Sequence, residues 1–136
     1  MPQDYKAILN RIYEEVFSQG RAEVADEIIA PGAVDHEMQG AGGPAALKEA
    51  LAMFRGAFPD LKMTMDDAIA EGNQVAARFT MTGTHKGEFQ GIPPTGKSVK
   101  IGGIDIVRFE GDKAVEHWGY TDQVGLMQQL GVMPPG

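Results

Sequence analysis

Pro59 separates two kinds of periodicity, and that switch limits what the chain can fold into. Before it, apolar residues recur at helical spacing. Tyr5, Ile8, Leu9, Ile12, Tyr13, Val16 and Phe17 predict an amphipathic helix over 3–19, closed by Gly20. Val24, Ala25, Ile28 and Ile29 predict a shorter second helix, stopped by Pro31-Gly32. Residues 34–37 read as a short extended piece and 39–43 as a flexible loop. Pro44 suits the first turn of a third helix, whose buried face is Leu47, Ala50, Leu51, Phe54 and Phe58. After Pro59 the period falls to two. Leu61, Met63 and Met65 alternate with polar residues, as do Val75, Phe79 and Met81 with Arg78, Thr80 and Thr82. Glu71-Gly72-Asn73 and Glu110-Gly111-Asp112 read as hairpin turns. Residues 84–97 read as a Gly- and Pro-rich loop, 99–109 and 113–122 as strands, 125–130 as a closing helix and 132–136 as a tail. Three helices followed by a meander of about four strands is an α+β pattern, with the helices packed on a mainly antiparallel sheet that can enclose a pocket.

The 136 residues suit one domain, 1–136. A net charge of −7 argues against nucleic acid, because phosphate binding needs a basic surface. The chain has no cysteine, which removes disulfides, thiol nucleophiles and thiolate metal sites. No apolar run is long enough to cross a bilayer, and the first residues lack a signal-peptide pattern, so a cytoplasmic location is expected.

The chemistry gathers near the C-terminus, where Glu116, His117, Trp118, Tyr120 and Asp122 crowd onto one strand and its end. Asp122 beside the two aromatics would be partly desolvated and suited to proton transfer, or it could cap the last helix. Asp105 interrupts a β-branched strand, so it must be ion-paired (with Arg78 or Arg108), protonated, or facing a wet cavity. His36 and His117 are candidate bases or structural histidines. On strict alternation His117 shares a face with Gly119 and Thr121, while Trp118 and Asp122 share the other, unless the strand bulges. His85 precedes the long loop and can reach a pocket from there. The histidine spacing matches no metal signature, and Gly83, Gly87, Gly91 and Gly96 do not form a dinucleotide fingerprint. Met53, Met63, Met65, Met81 and Met127 read first as core.

Ordered pieces along nearly the whole chain resemble the SnoaL-like polyketide cyclases of the nuclear-transport-factor-2-like superfamily. They include Val34-Asp35-His36, Phe58-Pro59-Asp60, Gly83-Thr84-His85-Lys86-Gly87, Gly103-Ile104-Asp105-Ile106-Val107-Arg108-Phe109, Glu116-His117-Trp118 and Gln128-Gln129-Leu130-Gly131. The resemblance implies a cone-shaped fold with a deep pocket, a homodimer, and no metal or organic cofactor. It also implies ring closure of an aromatic polyketide by intramolecular aldol addition, with Asp122 standing where the family has its proton-transfer aspartate. A looser similarity to ketosteroid isomerases implies oxyanion-binding roles for Tyr13 and Asp105, and puts His36 where those enzymes carry their base. The expected catalytic set is therefore Asp122, His36, Asp105 and His117, with Tyr13, Trp118, Arg78, His85 and Tyr120 as substrate contacts and a small apolar or aromatic carbonyl compound as substrate. Related members are dehydratases, epoxide hydrolases and isomerases, and the same fold can serve as a binding or dimerisation module without catalysis.

Overall fold

The computed structural model describes residues 4–37 and 42–133, so the ends of the chain and most of the loop expected over 39–43 lie outside the described residues. Helix α1, Tyr5–Arg11, starts where the Asp4 side chain accepts the Ala7 N–H at 3.1 Å. The predicted single helix then changes its winding, because Ile12–Ser18 is a π-helical segment. The Ser18 hydroxyl reaches back to the Tyr13 carbonyl at 2.9 Å and accepts the Met63 N–H at 2.8 Å, fixing the wide turn to the sheet. Apolar periodicity carries no mark of this winding, since Ile12, Tyr13 and Val16 are buried in it as they would be in an α-helix. Gly20, at φ +76°, closes the segment as expected.

Helix α2 (Val24–Ile28) runs directly into strand β1 (Ile29–Asp35), longer and earlier than the short extended piece read from sequence. Helix α3 (Gly43–Ala57) carries a proline in its first turn. Strands β2 (Lys62–Glu71), β3 (Gln74–Thr84), β4 (Ser98–Glu110) and β5 (Lys113–Thr121) follow, then helix α4 (Gln123–Leu130). The sheet order is β1-β5-β4-β3-β2. Neighbours from β2 to β5 are antiparallel, and β1 adds to β5 in parallel. The parallel edge strand is the element absent from the predicted meander.

Register decides which residues share a face. On β5 the pairing passes from Phe109–Ala114 to Arg108–Glu116, so Val115 is an extra, bulged residue. From Glu116 onward the pairing is regular: Val107 faces His117, Asp105 faces Gly119 and Gly103 faces Thr121. The bulge therefore precedes the site and does not bring Trp118 onto the His117 face. The inner face packs against the helices through Val75, Phe79, Met81, Val107 and Phe109, all buried with Val16, Val24 and Leu126. Each such side chain contributes about 1.5–3 kcal/mol of burial free energy. The outer face leaves Ile69, Ile104, Ile106 and Tyr120 exposed, Tyr120 by 75%. No helix among the described residues is long and apolar enough to cross a membrane.

Candidate active site

Between the helices and the inner face of the sheet lies a cavity of about 300 Å³. Its walls are apolar, with Phe17, Met53, Phe54, Met63, Phe79 and Met81 among them. Three of the methionines read as core thus line a space. Polar groups collect at one end, where Tyr13, Asp35, Glu37, Asp105 and His117 meet. They arrive on four elements: the π-helical segment, β1 and the turn after it, β4, and β5.

His117 is the hub. Its Nε2 lies 2.7 Å from Asp105 Oδ1 and its Nδ1 3.0 Å from Asp35 Oδ2. Burial alone would drive the imidazole toward neutrality, but the hydrogen bonds to Asp105 and Asp35, then their charges, outweigh it and push its pKa up to about 10. At neutral pH the ring is an imidazolium donating from both nitrogens. Asp105 receives a second donor, the Tyr13 hydroxyl, at 2.5 Å on Oδ2. Tyr13 is 2% exposed, and burial, followed by the charge of Asp105 and this hydrogen bond, holds its phenol protonated.

Glu37 completes the cluster. The residue is exposed, but its carboxyl end turns into the mouth of the cavity, where Oε2 accepts the Thr121 hydroxyl at 3.0 Å. Desolvation first, then the charge of Asp105, raises its pKa above the ordinary carboxylate value; Thr121 and His117 oppose the shift. Glu37, Asp105 and His117 offer atoms within 4.8 Å of one another, a spacing that would admit a metal ion. Both His117 nitrogens are engaged by carboxylates, at 2.7 and 3.0 Å, so a metal ion at this spacing would have to displace the imidazole from Asp105 or Asp35 and take up a deprotonated ring nitrogen.

Of the residues expected from sequence, Tyr13, Asp105 and His117 converge here and the others lie elsewhere. Asp122 is exposed and outside the cavity lining. It caps α4, accepting the Gly125 N–H at 2.8 Å. His36 points to the other side of the sheet, where it stacks on Trp118 with ring centroids 5.0 Å apart and bonds Glu116 at 2.7 Å. Trp118 and Tyr120 belong to that outer face, as does Arg78, which stands 3.7 Å from Asp66 rather than beside Asp105. Arg108 pairs with Glu116 and Glu110. His85 is fully buried in the loop, with Nδ1 accepting the Thr95 N–H at 3.2 Å and its ring against Phe58, away from the cavity. Asp35 closes β1 facing inward, and in the turn that follows His36 goes out to Trp118 while Glu37 comes back to Thr121. The sequence sets these three residues side by side but does not say which side of the sheet each takes.

The sequence profile described as SnoaL-like polyketide cyclase matches residues 7–130. Aklanonic acid methyl ester cyclase DauD of Streptomyces sp. (strain C5) is 27% identical over 123 residues, covering 86% of this chain and 76% of the relative. Nogalonic acid methyl ester cyclase of Streptomyces nogalater is 28% identical over 121 residues, covering 85% and 89%. Among solved structures, TsrD from Streptomyces laurentii superposes with a TM-score of 0.89 at 25% identity, covering 98% of this chain and all of the other. Wild-type IdmH from Streptomyces antibioticus gives 0.82 at 31% identity, covering 96% and 100%.

Proposed function

Because this chain belongs to the SnoaL-like polyketide cyclase family, we propose that it is an enzyme that closes a ring on an aromatic polyketide carbonyl compound by intramolecular aldol addition, with Glu37 carrying the proton. Glu37 takes a proton from the carbon next to one carbonyl, leaving an enolate. The enolate carbon attacks a second carbonyl of the same molecule, forming a C–C bond. The alkoxide so formed takes a proton back from Glu37. Apolar walls fold the substrate so that its reacting carbons meet, and the His117 imidazolium supplies positive charge near the developing oxyanion.

The observation that carries this reading is the Glu37 carboxyl at the mouth of an apolar cavity, with its proton affinity raised. A base works best when its pKa approaches the working pH. Asp105 is less suited, because the Tyr13 hydroxyl and His117 already occupy its oxygens. Asp122 has a structural part in this reading, as the cap of α4. A homodimer belongs to the same proposal. Ile69, Ile104, Ile106 and Tyr120 expose apolar surface on the outer face of one sheet, and contiguous apolar surface marks association sites.

The test offers aklanonic acid methyl ester and nogalonic acid methyl ester as probes and follows the ring-closed product by mass-resolved chromatography. Glu37→Gln should lower turnover about a hundredfold or more while leaving the fold intact. Wild-type turnover in that variant would remove Glu37 from the chemistry.

A further inference from the structure

Gly119 pairs directly with Asp105 across β4 and β5, so both lie on the inner face of the sheet, where Asp105 lines the cavity. Its φ lies outside the left-handed region, so the strand backbone does not itself require glycine. Its surroundings do. A Cβ on Gly119 would stand 2.8 Å from Glu37 Cδ and 2.9 Å from Asp105 Oδ1, with Glu37 Oε1 closer still. Gly83 meets the Phe58 side chain and Gly87 the Gly56 carbonyl, whereas Gly125 meets the Asp122 carboxylate that caps α4 and Gly131 the end of Lys97, both outside the cavity. Gly119 meets the ends of two carboxylates. The volume a side chain would fill is taken by the group proposed above to move the proton.

We propose that Gly119 is a positioning residue: by presenting no side chain opposite Asp105, it leaves the gap through which the Glu37 carboxyl reaches into the cavity mouth. This rests on the reading of Glu37 as proton carrier and adds the reason that Glu37 can sit there. A methyl group at position 119 leaves the strand pairing in place and turns Glu37 toward solvent, because Glu37 is the flexible partner. The charged and titratable groups facing Glu37 are Asp105 from β4, His117 from β5, Asp35 from β1 and Tyr13 from the π-helical segment. Asp105 and Asp35 raise its proton affinity and His117 lowers it. All of these are weakened when the carboxyl swings out, and desolvation, the largest contribution to the shift, is lost with them.

The experiment is a carbon-detected NMR titration of the Glu37 carboxyl in the wild-type protein, in Gly119→Ala and in Gly102→Ala. The last is a control on the same sheet, where an added Cβ comes no nearer than 3.5 Å to the Phe79 carbonyl. Glu37 should titrate above the usual range in wild type and in Gly102→Ala, and fall back to about 4.3 in Gly119→Ala. An unchanged Glu37 midpoint in folded Gly119→Ala overturns the proposal. Thermal unfolding supplies a second arm that holds even if Gly119→Ala folds poorly. The alanine should lower the midpoint less in a Glu37→Ala background than in wild type, because the clash is with Glu37. Equal losses in both backgrounds overturn the proposal. Neither arm uses a substrate, so each remains decisive whatever Glu37→Gln does to turnover.

Discussion

Raising the pH through the neutral range should progressively destabilise this protein, and His117 should be the main cause. In the native state the ring keeps its proton up to about pH 10, against 6.5 for a free imidazole. Below pH 6.5 both folded and unfolded chains hold the proton, and the full contribution is present. Between these limits the unfolded chain gives it up while the native state keeps it, so the unfolded state binds fewer protons and stability falls as pH rises. At about 1.4 kcal/mol per pH unit, the window has a ceiling on the order of 5 kcal/mol. The same contacts also stabilise Asp35 and Asp105, so a loss of a few kcal/mol is the working expectation. Tyr13 loses its proton only above the ordinary tyrosine range and stays outside this window. Glu116, Asp60 and Glu15, whose pKa values are lowered by their partners, act only in acid. The assay is urea unfolding at intervals from pH 6 to about 10.5, for the wild type and for His117→Gln. The wild type should lose stability across the window, and the difference between the two proteins should shrink to the pH-independent part. Parallel curves, or an NMR midpoint for His117 near 6.5, would refute the reasoning.

Two further outcomes follow from the geometry. Asp122→Ala should cost about 1 kcal/mol through loss of the α4 cap, whereas Asp122→Asn keeps a capping oxygen and should leave both stability and turnover near wild type; a hundredfold drop in Asp122→Asn would return the proton role to that residue. If the proposed homodimer forms through the outer sheet face, lysines at exposed positions Ile104 and Tyr120 should give a folded monomer in sedimentation experiments, and an unaltered sedimentation coefficient would clear that face of any part in assembly.

Much of the architecture was legible because each element advertises itself locally. The change of period at Pro59, the two hairpin turns and Gly20 all fall where the structure uses them. Asp105 was legible as a misfit, an aspartate among Ile104, Ile106 and Val107, and it faces the cavity while both isoleucines face out. The π-helical winding was not legible, since it buries the same residues as an α-helix would. Of the parallel edge strand only its end was legible, as the extended piece at 34–37; its start at Ile29 and its place beside β5 were not, because residues 29–33 have no period-two pattern of their own. His36 and Asp122 are the more conspicuous chemical groups in their segments, but each lies just past a strand end, where alternation does not say which way a side chain turns. Asp35 and Glu37 are ordinary carboxylates until β1 is laid beside β5.

Proton abstraction at Glu37 is the claim on which the rest depends, and isotope wash-in reads it without requiring ring closure. An aromatic ketone ester is incubated in deuterated buffer with wild-type protein or with Glu37→Gln, and deuterium at the carbon between its carbonyl groups is followed by mass spectrometry. The account predicts protein-promoted exchange in the wild type and a rate no greater than the buffer blank in Glu37→Gln. Exchange at the wild-type rate in Glu37→Gln would contradict it.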